Sequence, residues 1–248
     1  MIEAVLFDGD QTLWDFERVM RDALVAVVQD LRAALPCPFT ATLRWEDLEA
    51  DRTVVGDEWA GREYNLARLR VLGFARTLAR LREAEGLRED RSDEELAREL
   101  ARSYFEHRDR DPALFDDTLP CLQALRAEGR YRIGLLSNGS RLPETVGLAG
   151  YFEAVVFAQD HLVAKPEKGI FKVVERELSV RPSCCVLVGD HVVNDVSGAK
   201  QAGWSAVWLD RPGDGLALFE QVATGDRRPD AVVTTLDDLP AALDALDR

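Results

Sequence analysis

The chain has 248 residues, 46% hydrophobic and 31% charged, with a formal net charge of -14. That length admits one large α/β domain or a core with a smaller insertion, and either buries a substantial apolar centre. So acidic a balance argues against nucleic acid or an anionic membrane surface as partner, since both demand basic patches.

Met1 leads straight into an apolar stretch without a basic leader, and no apolar run approaches the length of a membrane span. A cytoplasmic protein with no membrane association is expected. Cys37, Cys121, Cys184 and Cys185 form no C-x-x-C pair and are expected to be reduced, structural thiols.

The first element is the run Ala4-Val5-Leu6-Phe7, which stops abruptly at Asp8-Gly9-Asp10. An unbroken apolar run of this kind fits a fully buried parallel strand that delivers polar groups to the carboxyl edge of a sheet. Two carboxylates one residue apart repel each other unless a cation or a shared proton intervenes. A hard divalent cation such as Mg²⁺ suits them, though an isolated D-G-D is better read as an Asp-Gly turn after an ordinary strand.

From residue 16 the period changes. Phe16, Val19, Ala23, Val27 and Leu31 recur at helical spacing up to Pro36 and Pro38. A helical pattern resumes at Trp45 and, after Gly56, runs from Trp59 to Leu81; Ser92 to Glu95 has the capping-box form and opens a helix to about Phe105. No strand signal interrupts this stretch, and Arg108-Asp109-Arg110-Asp111-Pro112 reads as a polar return linker.

Beyond it strands alternate with helices. Strands are predicted at 131–136, 154–158, 184–188, 205–209 and 231–234, and helices at 120–128, 167–178, from about 190 to Ala202, and 237–246. Such alternation implies right-handed βαβ units and a parallel sheet. The predicted class is therefore α/β: a Rossmann-like parallel sheet core from 1–15 and 107–248, with an inserted all-helical domain at 16–106.

Each strong strand ends in a polar group. After the first come Asp8 and Asp10; after the second, Ser137-Asn138-Gly139; after the 184–188 strand, Asp190, with Asn194 and Asp195 a helical turn later; Lys165 follows the 154–158 strand. Singly these are an N-cap, a surface cation and turn residues. Parallel strands bring them to one crevice, where together they make a metal and phosphate site. Only four lysines occur, and Lys165, Lys168 and Lys172 fall close together; Lys165 offers a compact point charge, the other two a solvated surface.

Asp8-Gly9-Asp10-Gln11-Thr12-Leu13, Ser137-Asn138-Gly139, Lys165-Pro166 and Gly189-Asp190-His191-Val192-Val193-Asn194-Asp195 resemble, in order, motifs one to four of the haloacid dehalogenase superfamily. The insertion directly after motif one resembles that family's helical cap of the first type. Gln11 departs from the pattern, because many members carry Gly there, and is expected to affect approach of the cap more than the chemistry.

The resemblance implies that Asp8 is a nucleophile forming an aspartyl phosphate and Asp10 the general acid and base. It implies Mg²⁺ held by Asp8, the backbone carbonyl of Asp10 and Asp190, with Asp195 supporting it through water and Asn194 orienting the loop. Ser137 and the N–H groups of Asn138 and Gly139 would hold phosphoryl oxygens, and Lys165 would neutralise charge and fix Asp8. The expected activity is Mg²⁺-dependent hydrolysis of a small phosphorylated metabolite by a monomer or homodimer. A phosphotransferase or mutase would use the same motifs, and a non-catalytic phospho-ligand module would share the fold. Members that dehalogenate 2-haloacids generally lack the second Asp.

His191 is as well read as a loop filler as a participant, and His107 and His161 have no metal spacing. Trp45 and Trp59 read as core of the insertion, Trp14 as a residue where core and insertion meet, and Arg62, Arg68 and Arg70 as a solvated helix face.

Overall fold

The computed structural model describes residues 1–59, 65–88, 92–211 and 227–247. These form two compact units, Met1–Asp15 with Pro112–Arg248, and Phe16–Asp111.

The first unit is built on a six-stranded sheet in the order β3-β2-β1-β4-β5-β6, all pairs parallel. Its strands are β1 (Ala4–Phe7), β2 (Arg132–Ser137), β3 (Ala154–Phe157), β4 (Cys185–Gly189), β5 (Ser205–Leu209) and β6 (Ala231–Val233). The apolar pattern explains the order. Every residue of β1 and β4 is buried, as a strand covered on both faces requires. The edge strands β3 and β6 instead leave Val155 and Val232 exposed.

Crossovers run outwards from β1 through β2 to β3 and, on the other side, from β4 through β5 to β6, so the winding reverses between β1 and β4. Ligand crevices of open α/β sheets lie at such a reversal, outside the carboxyl ends of the strands. Under one face, Leu6, Leu136, Val156, Phe171, Leu187 and Trp204 share a single core, with the Phe171 and Trp204 rings edge to face at 5.2 Å.

The second unit is all-helical among the described residues: α1 (Phe16–Ala34), α2 (Pro38–Thr42), α3 (Trp45–Glu58), α4 (Leu66–Ala84) and α5 (Ser92–Arg108). Leu24, Val27 and Leu31 of α1 pack with Leu48, Phe74, Leu78, Leu100 and Tyr104 into its own core, and Trp45 packs against it. α3 runs through Gly56, and a new helix starts at Leu66 because the Asn65 side chain accepts the Arg68 N–H at 2.9 Å. Since α5 continues to Arg108, the chain re-enters the first unit at Pro112 rather than at 107. No helix among the described residues is long and apolar enough to cross a membrane.

The remaining helices of the first unit are α6 (Thr118–Glu128), α7 (Ala158–His161), α8 (Lys168–Glu177), α9 (Gly198–Ala202) and α10 (Leu239–Leu246). The single helix expected after Asp190 is instead a π-helical turn, Val192–Ser197, that runs into α9. All four cysteines are free, and burial pushes the Cys121 and Cys185 thiols up to about 12. Both stay protonated and unreactive at neutral pH.

Candidate active site

Asp8 leaves β1 with its N–H donated to the Val188 carbonyl at 2.9 Å, so the ladder with β4 holds its backbone. The chain then folds into a tight turn. The Leu13 N–H reaches the Gly9 carbonyl and the Gln11 N–H the Trp14 carbonyl, both at 2.8 Å, with Gln11 in the left-handed region at φ 60°. That conformation explains why glycine suits this position. The outer carbonyls of the turn are also held: Thr12 O by Arg211 at 2.6 Å and Leu13 O by the Thr118 hydroxyl at 2.7 Å.

The turn brings Asp10 and Trp14 together. The Trp14 indole, fully buried, donates to Asp10 Oδ1 at 2.6 Å. Its ring occupies the space beside Gly9, where a Cβ would lie 2.4 Å from a ring carbon. Trp14 belongs to this turn's own interior, a role its sequence position did not reveal.

Lys165 lies at the centre of the acidic cluster and is buried with it. Its Nζ donates to Asp8 Oδ1 at 2.7 Å and to Asp195 Oδ1 at 2.6 Å. Its backbone is gripped from β2: Asn138 accepts the Lys165 N–H at 2.8 Å and donates to the Lys165 carbonyl at 2.9 Å, across a cis Lys165-Pro166 bond. Asn138 thus places Lys165 through its side chain. The Gly139 N–H donates to Ser137 Oγ at 3.0 Å, the turn that a Ser hydroxyl makes with the second following N–H. Ser137 itself is buried.

Asp190 follows β4. Thr12 donates to its Oδ1 at 3.3 Å and the Trp208 indole to its carbonyl at 2.8 Å. Asp195 sits on the π-helical turn. Lys165 holds its Oδ1, and the His191 N–H donates to its Oδ2 at 2.9 Å. A Cβ on Gly189 would lie 2.4 Å from that carboxylate, so a side chain there would displace it. His191 shapes the turn, its Nδ1 accepting the Val193 and Asn194 N–H groups at 3.2 Å each. His191 therefore orients the backbone of this loop.

One carboxylate oxygen each of Asp8, Asp190 and Asp195 lies within 4.8 Å of the others. Against these three carboxylates stands one buried ammonium, Lys165. Burial, then the neighbouring Asp195 charge, raises the Asp190 carboxyl to about 7. Burial likewise raises Asp8, which Lys165 opposes and Asp195, Asp190 and Asp10 reinforce. Burial works against the Lys165 ammonium, but Asp195 and Asp8 outweigh it and raise its pKa. The uncompensated charge and the all-oxygen donor set fit a hard divalent cation. The Asp10 side chain, turned to Trp14, is outside this donor set.

The residues read as solvated cations divide. Arg68 is exposed and lies 5.1 Å over the Trp59 ring, whereas Arg70 is buried, paired with Glu49 at 2.7 Å and stacked 4.3 Å over Tyr104. Arg62 lies outside the described residues. His107 is near Arg110 in the helical unit, and His161 closes α7; neither joins a metal-ligating group among the described residues.

The parallel α/β sheet thus carries an aspartate cluster and a buried lysine beside its winding reversal, at the carboxyl ends of its strands. The family model for haloacid dehalogenase-like hydrolases matches residues 2–203, and the chain belongs to that family. It is 35% identical over 154 residues to the phosphoserine phosphatase of Thermus thermophilus, covering 58% of each chain. To the N-acylneuraminate-9-phosphatase of Mus musculus it is 33% identical over 140 residues, 54% of this chain and 53% of that one. The matches thus span little more than half the length of these curated relatives. Among solved structures, the 2-haloacid dehalogenase from Pseudomonas syringae pv. Tomato DC3000 superposes with a TM-score of 0.77 at 29% identity, covering 99% of this chain and all of that one.

Proposed function

We propose that the protein is a Mg²⁺-dependent phosphomonoester hydrolase acting on a small phosphorylated metabolite through an aspartyl-phosphate intermediate. The observation that carries this reading is the second carboxylate, Asp10, locked in place by Trp14 beside the nucleophile position. The phosphatases among the relatives support it.

Mg²⁺ would be held by Asp8, Asp190 and Asp195, with the Asp10 carbonyl, and when bound supplies charge neutralisation to a phosphoryl oxygen. Lys165 fixes the Asp8 carboxylate and adds a positive charge where charge spreads over the transferring group. Asp8 attacks phosphorus in line. Asp10 gives a proton to the departing oxygen and later takes one from the water that hydrolyses the acyl phosphate. Ser137, at the end of β2, would hold a phosphoryl oxygen, with the Gly139 N–H engaged by its hydroxyl.

Phosphate release from an aryl phosphate, measured with Mg²⁺ and with chelator, tests the reading. Wild type turns over only with the metal, and Asp8→Asn lowers turnover by about 10³-fold or more. Absence of release from the wild type, there and across a metabolite panel, would sink it. The Pseudomonas syringae neighbour favours a second reading, dehalogenation of 2-haloacids. That chemistry has no use for an acid at Asp10, and halide release from a 2-haloacid would move it to the front.

A further inference from the structure

We propose that Trp14 is a positioning residue for Asp10: its indole N–H fixes one carboxyl oxygen so that the other exchanges the proton with the leaving oxygen. This rests on the hydrolase reading above.

Both oxygens of Asp10 have defined surroundings. Oδ1 accepts from Trp14 Nε1 at 2.6 Å. Oδ2 lies over Gly139, where a Cβ would come within 2.5 Å of it. The donor cannot slide. Its ring is fully buried and pressed against Gly9, and its backbone pairs with Asp10 and with Leu114. A buried indole N–H needs an acceptor, so ring and carboxyl hold each other.

The two carboxylates of the loop are therefore held by different kinds of donor. Asp8 accepts from the charged Lys165 Nζ, which opposes the rise that burial gives this carboxyl. Asp10 Oδ1 accepts from the neutral indole N–H of Trp14. A neutral N–H on Oδ1 is compatible with Oδ2 carrying a proton or lacking it, which a group that alternates between acid and base requires.

The steps balance. As an Asp8 oxygen bonds to phosphorus, the bond from phosphorus to the leaving oxygen breaks, and that oxygen takes the Oδ2 proton. Water then gives a proton to Oδ2 while its oxygen bonds to phosphorus and the bond to Asp8 breaks. The products are an alcohol and phosphate, with Asp10 restored.

The sensitivity of kcat/KM to the leaving group tests this. Para-nitrophenoxide departs without help, whereas phenoxide needs protonation. In Trp14→Phe the ratio of kcat/KM for para-nitrophenyl phosphate to that for phenyl phosphate rises roughly tenfold or more over wild type. Benzothienylalanine at position 14, which keeps the ring shape but lacks the N–H, reproduces the rise and covers failure of the Phe variant to fold. A fluorotryptophan, which keeps the N–H, restores the wild-type ratio. An unchanged ratio in the donor-less variants, whether both rates fall together or neither falls, overturns the proposal while leaving the hydrolase reading intact. A wild type that releases phosphate from neither ester overturns that reading, and this inference with it.

Discussion

Each unit gathers charge around a buried carboxylate, and the two are built to opposite rules. In the helical unit Asp51 is a single carboxylate facing Arg80 at 2.7 Å, Arg76 at 3.3 Å and the Thr77 hydroxyl at 2.8 Å. Arg76 also pairs with Glu58 at 3.9 Å, so the two arginines match two carboxylates and the ion pairs stay within the α3–α4 pair. In the α/β unit Asp8, Asp190 and Asp195 face one ammonium. The first arrangement is closed and stabilises a helix pair; the second leaves negative charge that only another cation or a proton can offset.

The largest effect expected from this contrast comes from Lys165→Met. Removing the one ammonium lowers turnover by about 10²-fold or more and destabilises the metal-free protein by about 3 kcal/mol in urea titrations, because a buried partner is lost. A variant with unaltered activity would break the contrast at once.

Next comes Asp51→Ala. It costs about 1–3 kcal/mol, since Arg76 and Arg80 are about two-fifths exposed and turn to water. It leaves the kcat of the folded enzyme within about twofold. A large loss of kcat at unchanged stability would show that the helical cluster is not merely structural.

The smallest effect is a pH dependence peculiar to the acidic cluster. The folded-state pKa of Asp190, about 7, lies above its ordinary value of 3.8. Between those values the folded metal-free protein keeps a proton that the unfolded chain releases, so this carboxyl adds stability as pH falls through about 7. Thermal scans in chelator should show Tm a few degrees higher at about pH 6 than at about pH 8, with Mg²⁺ binding changing in the opposite sense. A flat profile would mean that the cluster is already compensated.

The sheet and the acidic cluster were largely legible because both follow from strand ends. Apolar runs such as Ala4–Phe7 and Cys185–Gly189 announce buried strands, and the carboxyl-edge rule carries Asp8, Lys165, Asp190 and Asp195 to one place. The donors that hold these groups were not legible. Trp14 on Asp10, Thr12 and Trp208 on Asp190, and His191 on the π-helical turn depend on a close approach that no periodicity encodes. The π turn itself has an ordinary helical pattern. Arg70 looked like surface because a buried guanidinium is rare, and only its pairing with Glu49 and Tyr104 makes burial tolerable.

The place of β1 at the middle of the sheet also bears on how the chain comes into being. Its neighbours are β2, through Ala4 and Arg132, and β4, through Ala4 and Cys185. A ribosome therefore exposes this wholly apolar strand before the others of the sheet and supplies its second partner only after residue 185 has been made. Meanwhile the helical unit, which lies between β1 and β2 in the sequence, is synthesised in full. Such long-range pairing makes the nascent sheet slow to close and leaves a sticky segment waiting, so production in cells rests on chaperone supply and translation speed as well as on final stability.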